Sequence, residues 1–346
     1  MIRPLSISML AAIVPAVNRK WELKELPIPE PGINQVLIKI YASGLCYTDI
    51  HMTEGTHVAN FPNTLGHEPA GMIVSIGEGV TTRKIGDRVG VPWVQSTCGR
   101  CEWCQRDKGI FCHNQIGTGV NIPGSHAEYM VAYADSTQLL PDALSYEQAA
   151  PIFCAGFTVY SGLLSAEPKP HERIAVVGIG GLGHLALQYS KVAGFETIAL
   201  THSKDKEELA YKLGANGVVS DGKGLASYGN EGKENSGGVD IILATTNSYK
   251  AMTDSFQGLR PDGRIILMGI SSNETLTIPE NIIYKRGQIK GSMANDRQHL
   301  YEALDYVAKG NVKVMTEIFS LEKINDAYDK VSNGEVRFRA VIKPET

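Results

Sequence analysis

Cysteine is scarce in this 346-residue chain and unevenly placed: four of the six cysteines are Cys98, Cys101, Cys104 and Cys112. Gaps of two, two and seven residues put four thiolates in one segment, enough to close a tetrahedral sulfur shell around zinc. Such a shell leaves no position for a substrate, so its role is structural. An iron–sulfur site is the competing reading, but there the fourth cysteine follows after three residues and precedes a proline. Here His113 follows Cys112. The two remaining cysteines, Cys46 in SGLCYTDIH and Cys154 in APIFCAGFT, read singly as small buried hydrophobes. Together with His67 in TLGHEPAG they would supply two thiolates and an imidazole, leaving a fourth tetrahedral position open. Separations this large leave open whether the three meet.

A second chemical signal is VVGIGGLGH, in which Gly178, Gly180 and Gly183 match the spacing G-x-G-x-x-G. An apolar strand precedes it and a helical segment follows, the context that turns a weak motif into a dinucleotide-binding reading. Backbone N–H groups of Gly180, Gly181 and Leu182 and the helix start at Gly183 would face a pyrophosphate. A plain glycine-rich turn is the alternative. An NAD-specific site places an acid about 20 residues on, at the tip of the next strand. That strand ends IALTHSKDK, so the tip is Thr201, His202 and Ser203, with Lys204 and Lys206 beyond. Hydroxyls and lysines suit a 2′-phosphate, which favours NADP(H). Asp205, or a backbone contact, leaves NAD(H) as the alternative.

The elements that must carry these residues fall into two styles. Residues 1–150 hold short β-like runs broken by Gly and Pro, such as QVLIKIYASG and AGMIVSIG, which read as a mostly antiparallel domain. From about 155 the chain alternates apolar strands with helices (RIAVVGI, LGHLALQYSKVAG, TIALTHS, GVDIILAT, RIILMGI), as a parallel sheet with helices on both faces does. The expected class is α/β: a Rossmann doubly wound cofactor domain over 156–292, and a mostly antiparallel β catalytic domain over 1–155 with 293–346, carrying a zinc lobe at 95–114. In the tail, Leu300, Ala303, Leu304 and Val307 share one helical face, as do Leu321, Ile324, Tyr328 and Val331.

A net charge of −4 argues against a nucleic-acid or anionic-membrane binder. No apolar run reaches the ~20 residues of a membrane span. The N-terminal MIRPLSISMLAAIVPAV is interrupted by Ser6 and Ser8 and lacks a small-x-small cleavage site, so it reads as strands around an Asn18-Arg19-Lys20 turn rather than a signal peptide. A cytoplasmic, reducing location is expected, where clustered cysteines bind metal more often than they pair.

From about residue 9 to the C-terminus the chain resembles the medium-chain, zinc-dependent alcohol dehydrogenases. The landmarks, in order, are GLCYTDIH, LGHEPAG, GDRVGV, the four-cysteine lobe, CAGFTVY, GIGGLG and the tail from EALDYVAKGNVK to RFRAVI. The resemblance implies a GroES-like catalytic domain and two zinc ions per chain. Cys46, His67 and Cys154 would hold the catalytic one, a ligand set for which alcohol dehydrogenase is the standing example. Glu68 would be an alternate or outer ligand, and Asp49 the carboxylate orienting the histidine. Thr48 would take the alcohol proton and His51 pass it to solvent. Arg339 would reach the cofactor pyrophosphate, compensating for Tyr47, where many relatives carry His or Arg. Trp93 would narrow the substrate pocket and His57 leave it open outward, so primary alcohols or aldehydes larger than ethanol are expected. The polyol dehydrogenases and a non-catalytic, crystallin-like nucleotide binder are the competing functions. The family forms dimers and tetramers, so a homo-oligomer acting on a small molecule is implied, with no nucleic-acid or membrane partner.

Overall fold

The segment QVLIKIYASGL carries β-branched and aliphatic residues and forms the long strand Gln35–Leu45, with eight of its eleven residues buried. It is the hub of a seven-stranded sheet in the computed structural model, which describes residues 8–230, 237–271, 273–294 and 296–344. Glu68–Ile76, Tyr129–Tyr133 and Arg339–Lys343 pair with it antiparallel, Arg88–Gly90 and Gln138–Leu139 continue one edge, and Thr316–Ser320 joins the other in parallel. One apolar cluster, including Val36, Ile38, Ile40, Ile73, Val89 and Met130, packs on this sheet. A second gathers Trp21, Leu45, Ile50, Met52, Leu65, Ile324 and Ala327 around the helix Tyr47–Thr53. The N-terminal strands Ser8–Ile13 and Glu22–Pro27 pair antiparallel, and Asn18 takes a positive φ of 57° in the turn between them.

The other sheet has six strands, all parallel, in the order Gly217–Val219, Glu196–Leu200, Arg173–Val177, Val239–Ala244, Leu259–Leu267 and Gln288–Gly291. Numbered along the chain this is 3-2-1-4-5-6, the order of a doubly wound dinucleotide-binding sheet. Ile174, Ala175, Val176 and Val177 are each 0% exposed, as expected of a central strand covered on both faces.

Two compact units result: residues 1–154 with 314–346, and residues 155–313. The second boundary corrects the expected one at 292/293. The apolar face of the helix Arg297–Ala308 is the expected one, with Leu300, Ala303, Leu304 and Val307 buried, but its partner is the nucleotide-binding unit. Tyr160 donates to Glu302 at 2.9 Å, Tyr189 donates to the Ala303 carbonyl at 3.0 Å, and the Gln188 side chain bonds both backbone groups of Lys313. The closing strand Arg339–Lys343 does return to the first unit. Among the described residues, no helix is long and apolar enough to cross a membrane.

Candidate metal centre and cofactor loop

Three separate elements deliver the donor atoms of the open set. Cys46 follows the long strand and caps the helix Tyr47–Thr53, His67 stands just before the strand Glu68–Ile76, and Cys154 follows the short turn Ala150–Phe153. The ligand atoms of Cys46, His67, Glu68 and Cys154 lie within 4.8 Å of one another, with the two sulfurs 3.7 Å apart. Both ring nitrogens of His67 and Oε2 of Glu68 are buried without a hydrogen-bond partner. Buried orphans of that kind cost free energy unless something else satisfies them. Two thiolates, an imidazole and an unpartnered carboxylate oxygen suit zinc, so the residues fit the metal that the sequence implies.

The hydrogen bond from Cys154 draws the Cys46 thiol well below its usual range, against burial and with help from His67, while the same contact pushes Cys154 up. Burial works against charge on His67, but the charge of the neighbouring Asp49 carboxylate overcomes it and raises the ring well above its ordinary value.

Asp49, 0% exposed, is the hub beneath these ligands. It accepts the backbone N–H of Cys46 at 2.9 Å and of Gly66 at 3.2 Å, and lies 3.5 Å from Nδ1 of His67. Burial would push its carboxyl up, yet the charge of His67, with His126 close on its other side, holds it well below the carboxylate range.

Glu68 is opposed across the strand pair by Gly44. A Cβ on Gly44 would lie 1.9 Å from Glu68 Oε2, so only glycine admits the carboxylate there. Gly44→Ala is expected to destabilise the chain by about 1–3 kcal/mol, the usual cost of overpacking, measured by urea unfolding with zinc present. The other oxygen of Glu68 meets Nη2 of Arg339. Burial pushes Glu68 up to about 7 against the pull of Arg339. Arg339, which the resemblance assigns to the cofactor pyrophosphate, is thus a buried neighbour of the metal centre whose first partner is Glu68.

Thr48 and His51 sit three residues apart on the same short helix, hence on neighbouring positions of one face. Thr48 Oγ1 is 3.6 Å from Cys46 Sγ. His51 Nδ1 is 3.1 Å from Thr56 Oγ1, whose hydroxyl donates to the His51 carbonyl at 3.2 Å. With its one hydrogen so used, that hydroxyl accepts from Nδ1–H, and a neutral His51 presents Nε2 as its acceptor. Trp93 packs edge-on against His67, ring centroids 5.1 Å apart, and against His57 at 5.8 Å. Sequence reasoning missed Thr56 and also Ser43, Ser125 and His126, because hydroxyls and one more histidine carry no spacing signal.

The lobe cysteines Cys98, Cys101, Cys104 and Cys112 form the second cluster with ligand atoms within 4.8 Å. Sulfur–sulfur distances are 3.5 Å for Cys101–Cys104 and 3.9 Å for Cys98–Cys104. Backbone N–H groups of Arg100 and Cys101 help bring the Cys98 thiol down to about 6. Trp103 packs edge-on against Phe111 at 5.4 Å, and Arg106 lies over the Trp103 ring. None of the six cysteines is in a disulfide.

In the nucleotide-binding unit the glycine loop follows the strand Arg173–Val177, and Leu182 precedes the helix Gly183–Val192. A Cβ on Gly183 would lie 2.0 Å from the Gly178 carbonyl, whereas one on Gly180 would meet nothing within 4 Å. The first glycine contact is a packing requirement; open space at Gly180 is the cradle a pyrophosphate would use. Thr201, His202 and Ser203 follow the neighbouring strand, whose last residue, Leu200, accepts the Gly178 N–H at 3.0 Å.

Residues 32–142 match the alcohol dehydrogenase GroES-like domain, and residues 181–309 match the zinc-binding dehydrogenase domain. An alcohol dehydrogenase of Geobacillus stearothermophilus is 38% identical over 97% of this chain and 99% of its own length. Among solved structures, acetophenone reductase from Geotrichum candidum in complex with NAD has a TM-score of 0.86 at 25% identity, covering 99% of this chain and 98% of its own. A zinc-binding dehydrogenase of Sinorhizobium meliloti bound to NADP reaches 0.87 at 26% identity, covering 97% of this chain and 99% of its own. With both domain matches, full-length similarity and the two cysteine-containing clusters in agreement, the chain belongs to the medium-chain, zinc-dependent alcohol dehydrogenases, NAD(P)-dependent oxidoreductases.

Proposed function

We propose that this chain interconverts primary alcohols and aldehydes with NADP(H) as the favoured cofactor, holding one zinc at Cys46, His67 and Cys154 and a second at the four-cysteine lobe. The observation that carries this reading is the convergence of the three donors, one of them a buried histidine whose ring nitrogens lack a hydrogen-bond partner. In the reducing direction the balance is aldehyde plus NADPH plus one proton, giving alcohol plus NADP⁺. Bound zinc supplies Lewis acidity to the substrate oxygen and the nicotinamide supplies hydride.

The chain's own residues do the rest. Cys46, His67 and Cys154 bind the metal, and Asp49 fixes the histidine ring. Thr48, beside the Cys46 sulfur, gives the substrate oxygen its proton or takes it away. His51, with Nε2 as acceptor and Nδ1 tied to the exposed Thr56, exchanges protons with solvent. Trp93, set against His67, forms the wall of the pocket. Arg339 holds Glu68 through one oxygen and so restrains it from taking the position left for substrate.

The cofactor preference rests on Thr201, His202, Ser203 and Lys206, where no acid stands at the strand tip to repel a 2′-phosphate. With an aldehyde panel, kcat/KM for NADPH is expected to exceed that for NADH by roughly tenfold to a hundredfold, the worth of one hydrogen bond to a charged group. Equal or better efficiency with NADH would overturn the preference, and no turnover of any carbonyl would overturn the substrate reading.

The chain is proposed to work in the cytoplasm, where its thiols stay reduced, and as a homo-oligomer. The parallel sheet ends in the strand Gln288–Gly291, exposed at all four residues, with Ile283 and Tyr284 exposed at 72% and 81% nearby. A bare edge beside apolar side chains is a surface that a second copy would cover.

A further inference from the structure

We propose that His126, backed by Ser43 and Ser125, is a positioning residue of the metal centre: it braces Asp49 and, through Asp49, fixes the ring and tautomer of His67. The inference rests on the reading of Cys46, His67 and Cys154 as a zinc site. Ser43, Ser125, His126 and Asp49 are all 0% exposed, and Nε2 of His126, like Nδ1 of His67, has no hydrogen-bond partner, so Asp49 is the buried acceptor that each of the two rings faces.

These groups line up in one chain, hydrogen-bonded from Ser125 to His126 and in close approach from His126 to His67. Ser125 Oγ lies 2.6 Å from Ser43 Oγ, and Ser43 Oγ lies 2.9 Å from His126 Nδ1. His126 Nε2 is 3.8 Å from Asp49 Oδ2, and Asp49 Oδ1 is 3.5 Å from His67 Nδ1. Hydrogen counting gives the chain a direction. Asp49 already receives two backbone N–H groups and is a charged acceptor, so the ring nitrogen facing it from either histidine carries hydrogen. In a neutral His126 that places hydrogen on Nε2 and makes Nδ1 an acceptor. Ser43 must then donate to Nδ1 and accept from Ser125. On the far side, His67 turns its Nδ1–H toward Asp49 at 3.5 Å and keeps Nε2 for the metal.

The backbone holds this chain in register. Gly124 N–H donates to the Thr64 carbonyl at 2.7 Å, Ser125 N–H to Gly66 at 2.9 Å, and His126 N–H to Leu65 at 3.1 Å. Residues 124–126 therefore run alongside 64–66, the segment that leads directly into His67. A purely structural role is the competing account, since His126 also packs on Trp21 with ring centroids 5.2 Å apart.

Two variants separate the accounts. His126→Phe keeps an aromatic ring against Trp21 and removes both nitrogens, while Ser43→Ala removes only the hydroxyl. Zinc affinity is measured by chelator competition on the full chain, with the lobe zinc as internal reference, and the visible spectrum is recorded after cobalt replacement. Both variants are expected to weaken zinc at the Cys46 centre by roughly tenfold to a hundredfold, the usual effect of losing an outer partner of a ligand, and to shift its cobalt bands. The lobe should keep its metal, and Ser43→Thr should restore wild-type binding. Unchanged affinity and cobalt bands in Ser43→Ala would overturn the proposal, whatever happens to the melting temperature. Should Cys46→Ala release no zinc, the metal-centre reading itself falls, and this inference with it.

Discussion

Cys46→Ala is expected to stop turnover while leaving a folded chain with one zinc in place of two. The expectation follows from the separation of the clusters. Both hold four candidate donors, but the lobe set is four thiols within one segment, and the other draws on three elements around a buried histidine. Removing Cys46 takes away the sulfur that Thr48 touches and that most readily loses its proton. The rate should fall by far more than the roughly tenfold to hundredfold that loss of an outer partner costs, because a ligand itself is gone. Zinc counted by mass spectrometry, beside circular dichroism and NADPH oxidation, checks all three parts. Retained turnover in a chain that has lost that zinc would refute the division of roles.

Arg339→Met carries the largest expected loss of stability. The guanidinium and the Glu68 carboxylate are both buried, at 5% and 0% exposure, and each keeps one polar atom unsatisfied even when paired. Taking away one member of a buried ion pair strands the other, at a cost of about 3–5 kcal/mol. Replacing both should cost less, so Arg339→Met with Glu68→Gln is expected to recover part of the loss. Urea unfolding of zinc-loaded protein measures both variants. A double variant no more stable than the single one would show that the pair is not the source of the effect. The KM for NADPH in Arg339→Met tests separately whether this residue also reaches the cofactor.

The sequence was most legible where chemistry is local. The lobe could be read from gaps of two, two and seven, and the dinucleotide loop from glycines between a strand and a helix. Cys46, His67 and Cys154 were not legible from spacing, because separations of 21 and 87 residues say nothing about distance in space; family resemblance alone brought them together. The tail shows a different limit. Periodicity identified the buried face of the helix Arg297–Ala308 but not the surface it meets, and an apolar stripe fits either unit. That ambiguity misplaced the domain boundary. Arg339 is expected at the cofactor pyrophosphate by resemblance, and its contact with Glu68 has no trace in RFRAV, because only the strand pairing of Ala340 with Leu45 carries it into the interior there. His126 was invisible because its meaning depends on backbone pairing between 124–126 and 64–66.

The central claim is that the Cys46 centre is open and the lobe closed. Cobalt exchanged into both sites tests it most directly, because its visible bands report the ligands around each ion. Adding a primary alcohol is predicted to shift the bands that disappear in the Cys46→Ala variant and to leave the lobe bands unchanged. A Cys46-dependent spectrum that ignores the alcohol, or a lobe spectrum that responds to it, would contradict the account.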